Sequence, residues 1–153
     1  MTALNTLIPP ERLLLDSDAG SKRSLLTEMI SLVPNIDTDQ ALEVIMAREK
    51  LGSTGIGHGV AIPHGRLEEL DKPIIAIVRH IAGINFEAID GQPVHIVILL
   101  LAPDNEDQAH LELLAHLARI LKNEQVRQAI MHAESAEAVS ALFPSLPGQE
   151  NEQ

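Results

Sequence analysis

One stretch of this sequence, residues 48–66, concentrates side chains that could do chemistry. It carries an arginine at each end, the hydroxyls of Ser53 and Thr54, and His64 directly after a proline. Glycine recurs through it more often than the turns of a structural loop require, which predicts residues at positive φ and backbone close to a ligand. The ligand that such glycine-rich segments most often bind is an anion. We therefore expect an anion-binding loop here.

His64 is the side chain in this loop that is best suited to covalent chemistry. Imidazole is nucleophilic near neutral pH when one ring nitrogen is free and a hydrogen bond holds the other. Pro63 fixes its own φ and lacks an N–H, and Gly59 and Gly65 leave room for the backbone, so the segment should hold one ring rigidly. We predict that His64 accepts a phosphoryl group. The alternative is a loop histidine whose ring is satisfied by backbone hydrogen bonds.

A transferred phosphoryl group needs its outer oxygens neutralised or hydrogen-bonded. Arg48, Ser53 and Thr54 are suited to this, and we predict that Arg48 assists the transfer while Ser53 and Thr54 bind phosphate. Each has a structural alternative, because an arginine can interact with a helix terminus and hydroxyls can stabilise a turn. Arg66 could contact phosphate, but we expect it to be a solvated charge at the loop edge. Transfer between two histidines requires no metal, so we predict neither a cofactor nor a metal site.

Metal chemistry is also disfavoured by the spacing of the remaining histidines, which are dispersed along the chain. His110 and His116 cannot share a helix face. A metal-dependent hydrolase using His58 and His64 would need carboxylate ligands that the glycine-rich loop does not supply. We assign no role to His58.

These residues resemble the IIA domains of the bacterial phosphoenolpyruvate-dependent phosphotransferase system (PTS), in the mannitol/fructose/nitrogen-regulatory family. The family signature stands here as Arg48-Glu49, Ser53-Thr54-Gly55 and Ile56 through Gly65. The resemblance continues through Phe86–Pro93 and Leu99–Pro103 and covers about residues 5–143. Within the family, the sequence is most similar to the nitrogen-regulatory branch.

The resemblance implies roles for two histidines. The last histidine of the signature accepts the phosphoryl group in that family, and it corresponds to His64. A second histidine, at the start of a later helix, corresponds to His110 and would hydrogen-bond to His64 or to the phosphoryl group. Without the resemblance, His110 would be interpreted as a half-buried packing residue in one stripe with Leu114, Leu117 and Leu121.

The resemblance also implies partners. Phosphate would arrive from an HPr-like phosphocarrier (NPr), itself charged by an enzyme I-like kinase. The phosphorylation state would then control regulatory targets in nitrogen and carbon metabolism, such as potassium transporters or sensor kinases. The alternative is a IIA component of a fructose/mannitol-type sugar system that passes phosphate to a IIB domain.

Composition excludes several other functions. The chain has 153 residues, a net charge of −11, no cysteine, and only two Phe as aromatic residues. The acidity argues against nucleic-acid binding, and the lack of cysteine removes disulfides and thiolate chemistry. The apolar run Val94–Ala102 is too short to cross a membrane, and the N-terminus shows no signal peptide. We expect a cytoplasmic protein without membrane insertion.

Periodicity and capping residues predict the elements that position the loop. Predicted helices run from Ser21 to Pro34-Asn35, from Asp37 to Gly52 and from Asp104 to about Leu121, and two short ones are capped by Asn123 and Ser135. Predicted strands are Ile74–Val78 and Val94–Ala102, with weaker candidates at Leu13–Leu15 and Val60–Ile62. Together they favour a single-domain α/β sandwich over residues 1–143, which by resemblance has a mixed sheet flanked by helices on both sides. Residues 144–153 are expected to be a disordered tail.

Overall fold

A mixed β-sheet forms the centre of the molecule. The computed structural model describes residues 7–104 and 107–143. Its strands are β1 (Leu13–Leu14), β2 (Gly55–Gly57), β3 (Val60–Ala61), β4 (His64–Leu67), β5 (Ile74–Ile84) and β6 (Val94–Pro103). They lie in the order β1-β5-β6-β3-β2, and β4 also pairs with β6. β5 with β6 and β2 with β3 are antiparallel, whereas β1 runs parallel to β5 and both β3 and β4 run parallel to β6.

Helices cover both faces of this sheet. They are α1 (Lys22–Ile30), α2 (Thr38–Lys50), α3 (Asp107–Leu121), α4 (Glu124–His132) and α5 (Ala136–Ser140). The four predicted N-caps Ser21, Asp37, Asn123 and Ser135 are confirmed, since each side chain accepts a hydrogen bond from a backbone N–H in the first turn. Such bonds satisfy donors that the start of a helix leaves without partners.

Alternation along β5 and β6 divides the core into two layers, because successive side chains of a strand point to opposite faces. Ala76, Val78, Val97, Leu99 and Leu101 pack with α1 and α2. Ile75, Ile77, Ile96, Ile98 and Leu100 pack on the other face with α3, α4 and α5. The predicted α/β sandwich with helices on both sides of a mixed sheet is therefore confirmed.

The glycine-rich segment is more ordered than the predicted loop. It contains β2 and β4 as well as β3, and β3 and β4 follow one another along the same edge of β6. Pro63 lies between them without an N–H to donate, but its carbonyl accepts the Leu100 N–H at 3.0 Å. The prediction of a loop was wrong here because β3 and β4 form by pairing with distant β6, which local composition does not report, and β2 then pairs with β3.

Two predicted boundaries were also wrong. β5 continues beyond Val78 to Ile84, because the charged Arg79 is buried in the sheet and donates to Leu15 O at 2.9 Å and Ala133 O at 2.8 Å. α1 ends at Ile30 although the apolar spacing continues to buried Val33. The described part of α3 begins at Asp107, and the residues between it and the predicted cap Asp104 lie outside the described residues.

The predicted tail, residues 144–153, lies outside the described residues. Within the part of the chain that the structure describes, no helix is both long and apolar enough to span a membrane.

Candidate functional site

His64 opens β4, so its position is set by strand pairing. Its Cα is in register with Leu100 of β6, and the ladder continues to Leu67 opposite Pro103. The side chain is half-buried. The expectation of a loop histidine is corrected: the ring stands on a backbone that is hydrogen-bonded to the central strand of the sheet.

A backbone carbonyl selects the tautomer of His64. The ring Nδ1 lies 2.8 Å from Ile62 O. A carbonyl oxygen only accepts hydrogen bonds, so Nδ1 carries the proton and the lone pair of the neutral ring is on Nε2. The structure therefore presents Nε2 as the nucleophilic atom of the ring.

Burial lowers the pKa of His64 below 6.5. The hydrogen bond to Ile62 raises this pKa, the positive charges of Arg48 and Arg66 lower it, and the negative charge of Glu49 raises it. The net direction is downward, so the ring is neutral at pH 7 and Nε2 keeps its lone pair.

His110 of α3 lies beside His64. The two ring centroids are 5.6 Å apart and the ring planes are tilted by 54°. His110 is buried, and its Nδ1 has no hydrogen-bond partner among the residues that the structure describes. Its pKa is lowered by burial first, then by His64 and Arg66. The apolar stripe predicted for this helix also exists, since Leu117 and Leu121 are buried and Leu114 is half-buried.

Arg48 lies in the last turn of α2, as predicted. Its Nη1 donates to Gly52 O at 2.9 Å, which is the helix-terminus interaction that the sequence offered as the alternative role. The guanidinium nevertheless acts on His64 electrostatically, because its charge lowers the pKa of that ring. Both interactions occur in the same structure.

The hydroxyls of Ser53 and Thr54 are directed at protein acceptors. Ser53 Oγ donates to Phe86 O at 2.6 Å and accepts the Gly55 N–H at 3.0 Å. Thr54 Oγ1 donates to Glu49 Oε2, and the Thr54 N–H lies 3.3 Å from Glu49 Oε1. These bonds stabilise the turn into β2, and phosphate binding by the two hydroxyls stays a prediction.

Sequence reasoning missed the role of Glu49, although it lies inside the quoted signature. Its carboxylate is buried and bonded not only to Thr54 but also to Lys22, whose Nζ lies 2.6 Å from Glu49 Oε1. Lys22 also lies over the Phe86 ring, 4.7 Å from its centroid. A lysine in the first turn of α1 gives no local signal that it contacts the end of α2, so this pair becomes visible only in the fold.

Comparison with known families identifies the chain. Residues 6–145 match the family described as "Phosphoenolpyruvate-dependent sugar phosphotransferase system, EIIA 2". The chain belongs to this EIIA 2 family. The resemblance indicated by the Arg48–Gly65 signature is thereby confirmed.

Relatives of this EIIA 2 protein are found in both branches of the family. A nitrogen regulatory protein of Pseudomonas aeruginosa is 40% identical over 143 residues, covering 91% of this chain and 93% of the relative. A PTS fructose-specific EIIA component of Haloferax volcanii is 32% identical over 147 residues, covering 94% and 96%. The crystal structure of the nitrogen regulatory protein IIA-Ntr from Neisseria meningitidis superimposes with a TM-score of 0.87 at 37% identity, covering 91% of this chain and 97% of that one.

Glycines in the EIIA 2 signature serve protein packing as well as turns. A Cβ at Gly65 would lie 2.7 Å from Val44 Cγ1, and one at Gly55 would lie 2.7 Å from the Ala88 Cβ. Gly65 therefore lets α2 approach β4 closely. The prediction that Gly65 leaves room for the backbone around His64 did not include this packing role, because the contact with α2 is not local in sequence.

The turn between β2 and β3 explains the positive φ values that glycine content predicted. His58 and Gly59 have φ of 60° and 77°. Both central residues of this tight hairpin are left-handed, as a type I′ turn requires. His58 is exposed and its N–H lies 3.3 Å from Asp90 Oδ2, so its backbone has a structural role.

Arg66 lies two residues after His64 on β4, so both side chains leave the same face of the strand. It is exposed, as expected, yet its charge lowers the pKa of both His64 and His110. Across residues 7–104 and 107–143, no three side chains of His, Cys, Asp or Glu are grouped so that they could hold a metal ion.

Proposed function

We propose that this EIIA 2 protein is a nitrogen-regulatory IIA protein that accepts a phosphoryl group on Nε2 of His64 from an HPr-like phosphocarrier (NPr). Its phosphorylation state then controls partners such as potassium transporters or sensor kinases. Membership of the PTS family supports a phosphocarrier as donor, and the similarity to nitrogen regulatory proteins supports the regulatory output.

The observation that carries this proposal is the arrangement of His64. Its Nδ1 donates to Ile62 O at 2.8 Å, which directs the lone pair of Nε2 away from the backbone. The ring is half-buried and its pKa is lowered by burial, so it is neutral without being enclosed. A neutral, oriented and accessible imidazole is the form that attacks phosphorus.

The transfer step balances without an added acid or base. The Nε2 lone pair of His64 attacks the phosphorus of the carrier's phosphohistidine, and a new N–P bond forms. The N–P bond on the carrier breaks, and its electron pair returns to the carrier's ring, which already holds a proton on its other nitrogen and therefore leaves as neutral imidazole. His64 then carries positive charge on its ring, and the bond from Nδ1–H to Ile62 O stabilises that charge.

Charged and polar groups near His64 suit the phosphoryl oxygens. Arg48 and Arg66 are close enough for their charges to lower the pKa of His64, and the same charges would stabilise an incoming phosphoryl group. His110, with its ring centroid 5.6 Å from that of His64, is positioned to hydrogen-bond to the phosphoryl group. In this role Arg48 and His110 stabilise transferred charge and are not the acceptor.

Regulation would follow from the charge that phosphorylation adds. A phosphoryl group adds about −1.5 to −2 charges at pH 7. The phosphoryl group would be added to a chain whose net charge is already −11, and it would lie next to Arg48 and Arg66. An interface that includes His64 would therefore change its electrostatic character on phosphorylation.

The alternative function is a IIA component of a fructose/mannitol-type sugar system. The Haloferax volcanii fructose-specific relative, which matches along nearly its whole length, favours keeping this candidate. The two functions differ in where phosphate goes next. Purified phosphorylated chain, mixed with a fructose- or mannitol-type IIB domain, should keep its phosphoryl group if the protein is regulatory and should lose it to IIB if it is a sugar component.

Intact-protein mass spectrometry tests the acceptor. The chain is incubated with phosphoenolpyruvate, enzyme I and an HPr-like carrier and analysed at alkaline pH, where phosphohistidine survives. Wild type and the control His132→Ala, whose ring bonds to Gln128 O within α4, should each gain one phosphoryl group. His64→Ala should gain none while its circular dichroism remains native. No addition to wild type from any carrier, or addition to His64→Ala, would overturn the proposal.

A further inference from the structure

The ion pair between Lys22 and Glu49 is placed where helix electrostatics disfavour it. Lys22 is the first residue of α1 and Glu49 lies in the last turn of α2. Cations are unfavourable at helix N-termini and anions at C-termini, so each charge stands at the wrong end of its helix. Their side chains are only 15% and 2% exposed, which makes the unpaired charges costly. The pair therefore needs an explanation other than helix stabilisation.

A continuous chain of hydrogen bonds leads from this pair to the ring of His64. Glu49 receives the side-chain and backbone donors of Thr54. Thr54 O accepts the Ile62 N–H at 3.0 Å. Ile62 O in turn accepts the Nδ1–H of His64 at 2.8 Å. Each link fixes a group of the next residue, and the last one selects the tautomer of His64.

Lys22 contacts both Glu49, where this chain of hydrogen bonds begins, and Phe86, which binds Ser53. Its Nζ contacts Glu49 Oε1 at 2.6 Å and lies over the Phe86 ring, while Phe86 O accepts the hydroxyl of Ser53 at 2.6 Å. Ser53 and Thr54, the two residues that lead into β2, are thus hydrogen-bonded to the two residues that Lys22 contacts, Phe86 and Glu49 respectively. Removing Lys22 would loosen both ties at once.

We propose that Lys22 and Glu49 are positioning residues for phosphoryl transfer: the buried pair anchors Thr54, and through Thr54 and Ile62 it holds His64 with Nε2 free. This inference rests on the proposed function, in which His64 is the acceptor. Lys22 has a second consequence there, because it neutralises a carboxylate whose charge would otherwise repel the phosphoryl group.

Removing either partner of the Lys22–Glu49 pair should shift the pKa of His64, and the two shifts should have opposite signs. Burial has the largest effect on the pKa of His64, and among the nearby charges Glu49 raises this pKa. Lys22→Met leaves the Glu49 charge uncompensated, so the pKa of His64 should rise. Glu49→Gln keeps an oxygen acceptor for Thr54 but removes the negative charge, so the pKa of His64 should fall.

The first experiment measures the ring of His64 without phosphate. NMR of the ring nitrogens gives the tautomer and the pKa for wild type, Lys22→Met, Glu49→Gln and the rescue variant Lys22→Arg. We expect pKa shifts of opposite sign in Lys22→Met and Glu49→Gln, a mixed tautomer in Lys22→Met, and values near wild type in Lys22→Arg. If Lys22→Met does not fold, Glu49→Gln and the double variant Lys22→Met/Glu49→Gln decide the question.

The second experiment measures transfer rates from a phosphorylated HPr-like carrier. Lys22→Met should transfer about tenfold more slowly or worse, because a small misplacement of a nucleophile is costly. Met29→Ala is the matched control: it creates a cavity in the same helix, from a fully buried residue outside the chain of hydrogen bonds. It should lower stability while the tautomer, the pKa of His64 and the transfer rate remain near wild type.

Unchanged tautomer, pKa and rate in Lys22→Met and Glu49→Gln, with stability lowered as in Met29→Ala, would overturn the positioning role. The two proposals fail separately. Wild type that accepts no phosphoryl group from any carrier contradicts the proposed function, while the NMR measurement still tests whether Lys22 and Glu49 orient His64.

Discussion

At the residue scale, the carbonyl of Ile62 orients the ring of His64, as a carboxylate orients the histidine of many catalytic triads. This carbonyl fixes the ring and decides which nitrogen is available. Unlike a carboxylate it brings no full negative charge, and burial and nearby arginines lower the pKa of the ring. The site therefore favours the neutral form of the His64 ring over the imidazolium.

The lowered pKa predicts how transfer depends on pH. Protonation of Nε2 removes its lone pair, so transfer to His64 should decline only as the pH falls below 6.5, through the lowered pKa. Arg48→Gln removes a charge that lowers this pKa, so the pKa of His64 should rise in that variant. The control Lys50→Gln, which replaces an exposed lysine, should leave the pKa of His64 unchanged. NMR titration of the His64 ring measures both. A wild-type midpoint at or above 6.5 would contradict the account.

His110 is the second residue-scale prediction. Its ring lies beside that of His64, the proposed acceptor, so His110→Ala should slow transfer by about tenfold to a hundredfold without abolishing it. Rapid-quench measurement of transfer from a phosphorylated carrier tests this, with His132→Ala as the control. Transfer at the wild-type rate in His110→Ala would remove His110 from the site and leave it as a residue of the packing stripe.

At the scale of elements, the site depends on how closely α2 approaches β4. Gly65 permits that approach, since an added Cβ would lie 2.7 Å from Val44 Cγ1 and 3.1 Å from Ile45 Cδ1. Close packing of this kind leaves no space for an extra methyl group without movement of a helix or strand.

Gly65→Ala should therefore destabilise the fold by roughly 1–3 kcal/mol and slow transfer, because β4 carries His64. Urea unfolding gives the free energy of unfolding. Gly20→Ala is the matched control: nothing lies within 4 Å of its added Cβ, so it should be neutral or slightly stabilising. Equal effects of the two substitutions would show that close packing at Gly65 is not what the site requires.

The sequence predicted correctly the features that depend on neighbouring residues, such as helix caps. Ser21, Asp37, Asn123 and Ser135 are caps, and their bonds are formed within one helical turn. β4 was missed because it pairs with β6, which is distant in sequence, and β2 was missed because the strand it pairs with, β3, is itself paired with β6. For the same reason His64 was predicted as the acceptor from its motif, while its hydrogen bond to Ile62 O and the proposed positioning role of Lys22 and Glu49 required the fold.

At the scale of the whole molecule, the titration of His64 and His110 makes the stability of the fold depend on pH. Both have a pKa below the value of 6.5 expected in the unfolded chain. Between those values the unfolded state binds protons that the folded state does not, so the free energy of unfolding decreases as the pH falls below 6.5. The site thus contributes to acid sensitivity.

Urea unfolding of wild type, His64→Gln and His110→Gln at a series of pH values tests this linkage. Wild type should lose stability as the pH falls from 6.5, and each substitution should make that dependence shallower by removing one group with a lowered pKa. Ser135→Ala, which removes the α5 cap, should lower stability by about 1 kcal/mol without changing the dependence on pH. Identical pH dependence in all variants would contradict the linkage.

Nε2 of His64 is the proposed site of the phosphoryl group, and NMR of the phosphorylated chain with ¹⁵N-labelled histidine can identify the nitrogen that carries it. Coupling between phosphorus and a ring nitrogen identifies the bonded atom. We expect coupling to Nε2 of His64, with Nδ1 still protonated and bonded to Ile62 O. Coupling to Nδ1 of His64, or to a nitrogen of any other histidine, would contradict it.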